Sequence, residues 1–321
     1  MRSASTAAAV VLDHLLGDPP DRLHPVAWFG RAMTRREQRA WGDRRLSGVR
    51  HLGAGFAVAT VPVALLGVGA RRLGGAAAYS AVFVAVVTAT LGARSLDRRA
   101  AEIAEALASG QIEEARRLLP ALVGRDPTGL DEAEIARAVV ESVAENTVDA
   151  VVAPLFWAAL GGPVAAAAYR AVNTLDAMVG YRSDRYRRFG WASARADDVA
   201  NFVPARVGAV IVALCSPSHA AGIGRAVRRQ APGHPSPNAG VIEAAFAAAL
   251  GLRLGGTNRY GEVVEHRVEL GEGRAVARGD IVRARLLARR VTGVAAATLA
   301  CPVVCELWRC SRTNHPPRGV R

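Results

Sequence analysis

Glu141, Glu145 and Asp149 are spaced four residues apart in ESVAENTVDAVVAPLFWAALGG, residues 141–162, and an amide, Asn146, lies among them. On a helix this spacing puts the three carboxylates on one face. Like charges so placed repel one another, and they persist only where a cation, a bound metal or arginines offset them. The second half of the stretch is apolar enough for lipid, and ionisable groups at such a border are functional candidates. A second segment, YRAVNTLDAMVGYR, adds Asn173 and Asp176. Carboxylates so grouped suit a bound cation, and amides at matched depth suggest coordination or hydrogen bonds to a substrate. The plainer alternative is a set of solvated helix ends paired with Arg137, Arg170 and Arg182, pairs worth little at a surface. Asn146 and Asn173 tilt the reading towards chemistry, because amides serve no helix propensity.

Other segments carry further candidates. In ARADD, Asp197 and Asp198 suit a Mg²⁺ that carries phosphates, or complement a helix dipole. HPSPNAG, residues 234–240, is stiffened by two prolines and offers His234, Ser236 and Asn238 as a binding loop. Gly255, Gly256, Asn258 and Gly261 are placed to cradle a phosphate, a weak signal alone. Asp18 and His24 stand in LGDPPDRLHP. Cys301, Cys305 and Cys310 with His315 match no zinc spacing and read, like Cys215, as small buried hydrophobes.

What positions these groups is helical. Two uncharged runs, 52–70 and 73–93, are long enough to span a bilayer and form a hairpin joined at Arg71-Arg72. Residues 96–119 read as one amphipathic helix. Asp131 and Glu134 form the capping box of a helix running from Glu132 to Leu160, kinked at Pro154 and broken by Gly161-Gly162-Pro163. Pro163 then opens a second arm. Asn146 lies 15 residues before Gly161 and Asp176 14 after Gly162. At ~1.5 Å per residue both sit roughly 22 Å from the turn, and Asp149 is likewise level with Asn173. Further on, 207–224 reads as a weak span, 241–252 as a helix, 251–267 as irregular chain and 291–305 as a short last apolar run. The Asp-Pro-Pro and His-Pro pairs predict turns rather than helix within 13–50.

Composition agrees. The chain is 51% hydrophobic and only 5% aromatic, with small residues dominating, which suits tightly packed membrane helices. Its formal charge of +13 comes from arginine alone. That favours anionic headgroups over nucleic acid, and the absence of lysine excludes a P-loop lysine or a Schiff base. The N-terminal apolar run, 7–12, is too short for a signal peptide. Arginine in every loop leaves the orientation open. The expected fold is all-α: a polytopic integral membrane helical protein in which a broken helical hairpin carries the polar site. It reads as one domain, 1–321, with 94–148 an amphipathic segment outside the apolar zone and 306–321 a basic tail.

LGDPPDRLHP, ESVAENTVDAVVAPLFWAALGG, YRAVNTLDAMVGY, FGWASARADDVANFVPARV, HPSPNAG and LGLRLGGTNRYG occur in this order, and together they resemble the CobD/CbiB family of cobalamin biosynthesis from about Leu12 to Gly273. The resemblance implies a multi-pass enzyme of the cell membrane, an adenosylcobinamide-phosphate synthase. Such a ligase joins adenosylcobyric acid to aminopropanol phosphate through an amide, with ATP and Mg²⁺. On that reading Glu141, Glu145, Asn146, Asp149, Asn173 and Asp176 are the catalytic candidates. Asp197 and Asp198 are the metal candidates. Asp18, His24, Arg182, Asp184, Arg185, Arg195, Asn201, His234, Ser236 and Asn238 are the candidates for substrate binding. Partners are the two substrates, the lipid bilayer and other enzymes of the pathway, with no nucleic acid. Two departures stand out. The N-terminal apolar segment is shorter than in relatives, and Arg170 and Arg182 stand where relatives often carry lysine, so no lysine-specific role exists there. No standard nucleotide motif marks an ATP site. Two other classes share features: a CDP-alcohol phosphotransferase, which also uses Asp clusters and Mg²⁺ at a membrane face, and a non-catalytic transporter or membrane partner built on a broken hairpin.

Overall fold

The computed structural model describes residues 2–124, 126–181, 183–260 and 263–299. The chain enters through α1 (Arg2–Leu16) and α2 (Pro25–Ala40), then a long broken helix α3 (Arg45–Thr90). After α4 (Ala93–Ala108) and α5 (Ile112–Leu118) comes the segment that carries the carboxylates, α6 (Glu132–Thr147), a π-helical turn (Val148–Val152) and α7 (Ala153–Val179). A short α8 (Tyr186–Phe189) leads into α9 (Trp191–Cys215), which is followed by α10 (Ala220–Arg229) and α11 (Ala239–Leu250). Two strands, β1 (Leu254–Tyr260) and β2 (Val263–Leu270), precede α12 (Gly279–Leu299).

Local chemistry sets the inner hairpin. The Asp131 carboxylate accepts from the Glu134 N–H at 2.8 Å, and the Glu134 carboxylate accepts from the Asp131 N–H at 2.9 Å, closing the capping box that starts α6. Pro154 has no N–H to give to the carbonyl of Ala150, one turn back. The helix widens to a π turn there, and the freed Ala150 carbonyl accepts from Gly92 N at 3.1 Å. The distortion expected as a kink at Pro154 is thus a π turn just before it. Gly162 (φ 73°, ψ −159°) lies in a region open essentially to glycine alone, and Pro163 starts the returning arm.

The outer hairpin breaks at Gly75 (φ 63°, ψ −149°), not at Arg71-Arg72. Arginine is a good helix former and the helix runs through it, while the reversal needs a residue that tolerates positive φ. The two hairpins pack together through close approaches. A Cβ on Gly55 of α3 would meet Leu175 of α7 at 2.6 Å, and Tyr79 of α3 lies beside Gly162. The core is built on α6, buried on nearly every side, with Ile242 and Phe246 of α11 and Leu287 and Val291 of α12 against it.

Elsewhere the structure corrects the sequence reading. His24-Pro25 opens a helix instead of a turn, because Pro25 sits at a helix start and His24 Nδ1 accepts from Val26 N at 3.1 Å. The expected single helix 96–119 divides at Gly110 (φ 72°) into α4 and α5. The weak span at 207–224 is the end of a helix that begins at Trp191 and stops before Pro217. The region expected to be irregular forms an antiparallel hairpin, with Leu254 opposite Leu270, Gly256 opposite Arg267, and an irregularity at Gly255 (φ 81°). This hairpin is the exception to an otherwise helical chain among the described residues. Three helical stretches, Arg45–Ala108, Glu132–Val179 and Trp191–Cys215, are long and apolar enough to cross a membrane. Cys301, Cys305, Cys310, His315 and the 306–321 tail lie outside the described residues.

Candidate functional site

Of the two depth matches expected on the inner hairpin, that of Asp149 with Asn173 is realised as a contact. Asn173 Nδ2 on α7 donates to Asp149 Oδ2 in the π turn at 3.0 Å, and lies 3.3 Å from Asp197 Oδ1 on α9. Asn201, one turn along α9, donates to Asp197 Oδ2 at 3.1 Å. Tyr169, one turn before Asn173, donates its hydroxyl to Asn201 Oδ1 at 2.9 Å. Three elements are thereby laced by a ring of carboxylates and amides. Asn201 and Tyr169 are both 2% exposed, so removing either leaves a buried polar group unpaired, at about 1–3 kcal/mol.

The ring is strongly acidic. Asp149 interacts electrostatically with Asp197 and Glu145, and Asp176 with Asp197, Asp198 and Glu145. Glu145 is exposed at the rim, and Asp149 and Asp176 are half-buried. Gly180 leaves room for Asp176, whose Oδ1 would lie 1.9 Å from a Cβ at that position. Arg170 brings a positive charge to Asp149. It approaches Asn173 Oδ1 at 3.4 Å and interacts with Asp149 and Asp18, while its buried Nε has no hydrogen-bond partner among the described residues.

That link to Asp18 brings the N-terminal loop to the same place. Asp18 Oδ1 lies 3.5 Å from His24 Nε2. Burial alone would raise the Asp18 carboxyl, but hydrogen bonds from His24 and Ser95 and the charges of His24 and Arg170 hold it below its ordinary value. On the other flank the HPSPNAG loop is fastened to α9. Asn238 Nδ2 donates to the Asp198 carbonyl at 2.8 Å, and Asn238 Oδ1 accepts from Arg206 at 2.9 Å.

The remaining candidates separate from the ring. Glu141 is 5% exposed and accepts from Gly255 N at 2.9 Å, while Arg137 donates to the carbonyls of Gly255 and Thr257. This pins the glycine pair as a strand irregularity and occupies the N–H that a phosphate cradle would use. Asn258 lies in the same strand. Asn146 turns back along its own helix, donating to the Ser142 carbonyl at 2.9 Å and not towards Asp176. His234 Nδ1 accepts from Ser236 N at 3.1 Å and its Nε2 lies 3.8 Å from buried Glu243, while Ser236 Oγ accepts from Ala239 N at the start of α11. Arg185 pairs with buried Glu37 at 3.0 Å, Arg195 pairs with Asp198 at 3.3 Å, and Asp184 is exposed. Arg182 lies outside the described residues. Among the described residues, no three His, Cys, Asp or Glu side chains form a ready-made metal site.

Tyr169 is a member of this site that sequence reasoning passed over, and Arg170 entered there only as an ion-pair partner of helix ends. Tyr169 shares a helix face with Asn173, four residues on, and a buried tyrosine hydroxyl seeks a partner. That was the available signal.

Two glycine-broken helical hairpins, with an acid–amide ring seated where the inner one is distorted, define a helical protein whose polar site lies among apolar spans. The CobD/Cbib protein family model matches residues 6–288. The chain belongs to the CobD/CbiB family. It is 48% identical over 306 residues to Cobalamin biosynthesis protein CobD of Mycobacterium tuberculosis, covering 94% of this chain and 96% of that one. It is 44% identical over 276 residues to the protein of the same name from Pelobacter propionicus, covering 83% and 84%. With the Rhodobacter capsulatus protein of that name it shares 39% over 320 residues, covering 96% and 99%. No solved structure gives a significant match.

Proposed function

We propose that this chain is a multi-pass enzyme of the cell membrane acting in cobalamin biosynthesis, and that it joins adenosylcobyric acid to aminopropanol phosphate as an amide, giving adenosylcobinamide phosphate. What carries the reading is near full-length similarity to relatives called cobalamin biosynthesis protein CobD, 48% identical in one case. The acid–amide ring suits the chemistry. A carboxylate does not accept an amine at neutral pH, and ATP with Mg²⁺ supplies the phosphoryl group that activates it.

The residues present fit a metal of this kind. Asp149 Oδ2 and Asp197 Oδ1 converge on one donor, the Asn173 amide, and a Mg²⁺ carried on phosphates needs only one or two protein carboxylates. Asp149 and Asp197 would hold it. Arg170, with its unpartnered Nε, would grip a phosphate or carboxylate oxygen through charge-assisted hydrogen bonds. Glu145 and Asp176, towards the rim, would take the proton of the aminopropanol ammonium and so free its lone pair for attack. Asn173, held between two acids and Arg170, would orient the acyl carbonyl. Tyr169 and Asn201 fix the ring from beneath.

The test is turnover by purified protein in detergent, supplied with adenosylcobyric acid, aminopropanol phosphate, ATP and Mg²⁺, with the corrinoid read by mass. The expected gain equals aminopropanol phosphate minus water. No product from folded protein sinks the synthase reading. Product formed equally well by Asp149→Asn and Asp197→Asn variants would place the chemistry elsewhere.

A further inference from the structure

Away from the acid–amide ring, Arg44, Arg45, Arg187 and Arg188 surround a hollow of about 570 Å³ with a single acid, Asp43. Asp43 answers only Arg188, at 3.4 Å, with both side chains more than half exposed. Arg45 lies over the Trp191 ring at 4.9 Å. Arg44 and Arg187 have no side-chain hydrogen bond or ion pair among the described residues. Four guanidinium groups facing one hollow repel each other, and an anion there relieves the repulsion.

The position says which anion. The hollow lies at the first residues of α3, and α3 leads from it into an outward apolar face: Leu46, Val49, Phe56, Val58 and Val61 are all exposed. Trp191 at the start of α9 lies under Arg45, and Trp41, the residue after α2, stands two positions before Asp43; both are partly exposed. Tryptophan and tyrosine gather at membrane–water borders, and arginine beside them meets lipid phosphates. A small soluble phosphate would use the charge but not the apolar face that begins at it.

We infer that this arginine hollow binds the phosphodiester headgroup of an anionic phospholipid, whose acyl chains lie along the exposed face of α3. The inference rests on the membrane part of the proposed function and is independent of the reaction. It also assigns this end of α3 to the more anionic leaflet.

The experiment uses the full chain in vesicles of phosphatidylcholine with and without phosphatidylglycerol, followed by extraction in uncharged detergent and native mass spectrometry of retained lipid. The wild type is expected to retain phosphatidylglycerol over phosphatidylcholine, and millimolar inorganic phosphate should not displace it. Arg44→Gln with Arg187→Gln should lose about tenfold or more of that preference, on the scale of two interfacial charges. Arg98→Gln, a change at an exposed arginine on α4, should keep it. Equal retention of both lipids, or an undiminished preference in the double variant, overturns the inference while leaving membrane insertion intact. Displacement by inorganic phosphate alone would make the hollow a soluble-phosphate site and also overturn it. Failure of the wild type to enter vesicles at all fails the membrane reading instead.

Discussion

Gly75 in α3 and Gly162 in α7 adopt almost the same backbone, φ 63° and ψ −149° against φ 73° and ψ −159°, and each reverses a long apolar helix. The surroundings diverge. In the outer hairpin 17% of the most apolar 18-residue stretch is buried, against 61% in the inner one. The outer arms carry no acid between Arg45 and Thr90, while the inner arms carry Glu141, Glu145, Asp149 and Asp176. The difference follows from packing. The outer hairpin presents Leu65 and Leu66 outward, and a carboxylate there would have no covering helix to pair it. The inner one is covered by α9, α11 and α12, and α9 provides Asp197 and Asn201 to complete a polar ring. The same chain reversal forms an outer wall in one place and frames a polar ring in the other.

The sharpest way to break this comparison is to neutralise the ring. Asp149→Asn and Asp197→Asn are each expected to lower kcat by about 10³-fold, or roughly 4 kcal/mol of transition-state stabilisation. Phe56→Ala on the outer hairpin should leave kcat within about twofold. Equal losses from both hairpins would mean that the site is not confined to the inner one. Next in size is Arg170→Gln, expected to raise KM for the anionic substrate about 10- to 100-fold with a smaller change in kcat, since it removes a charge-assisted contact made in the ground state as well. Arg170→Lys should restore part of the loss. A pure fall in kcat would instead give Arg170 a transition-state role.

The comparison also separates what sequence makes legible. Both hairpins are visible as apolar runs, and Gly161-Gly162-Pro163 announces its break because glycine and proline act locally. Asp131 and Glu134 cap α6 for the same reason. The level match of Asp149 with Asn173 comes from rise per residue alone. Rotation about the helix does not. The expected single face splits along its length, with Glu141 serving Gly255 and Asp149, inside the π turn, facing α7 and α9. Asn146 is lost to Ser142, a competition between side chain and backbone that spacing does not reveal. Gly75 was hidden by the charged pair beside it, Arg71-Arg72, which looks like a loop and is helix.

Alanine at the two glycines tests whether the reversals are equivalent. Each is expected to cost about 1–3 kcal/mol, because a Cβ is strained at this φ and ψ. Gly162→Ala should be the worse. Its Cβ would come 3.3 Å from Tyr79 Oη, whereas nothing lies within 4 Å at Gly75. Thermal unfolding in one detergent ranks them, and the opposite order would show that the outer turn carries more of the packing than its exposure suggests.

The smallest effect concerns the cover over the inner hairpin. α12 packs on α6, α9 and α4, and it is anchored at its start by Asp280, 1% exposed. Arg274 grips this carboxylate through two hydrogen bonds of 2.7 and 2.8 Å, and Arg283 and Ala277 N add bonds of 2.7 and 2.9 Å. Burial pushes the Asp280 carboxyl up, but Arg274, the Ala277 N–H and Arg283 outweigh it and hold it at about 2. The folded value is thus depressed below an unfolded one near 3.9. The stability it contributes is fully present above the unfolded value and is lost as pH falls through about 2. Arg274 is half exposed, so solvent screens part of the interaction and about 1–2 kcal/mol is expected. Asp280→Asn should therefore unfold more readily than wild type at pH 5, with the gap closing towards pH 2. Hydrogen exchange at pH 5 should quicken in α6 and not in the outer arm of α3. Quickening of equal size in both would mean that the two hairpins loosen as one unit, and that the cover over the inner one does not set it apart.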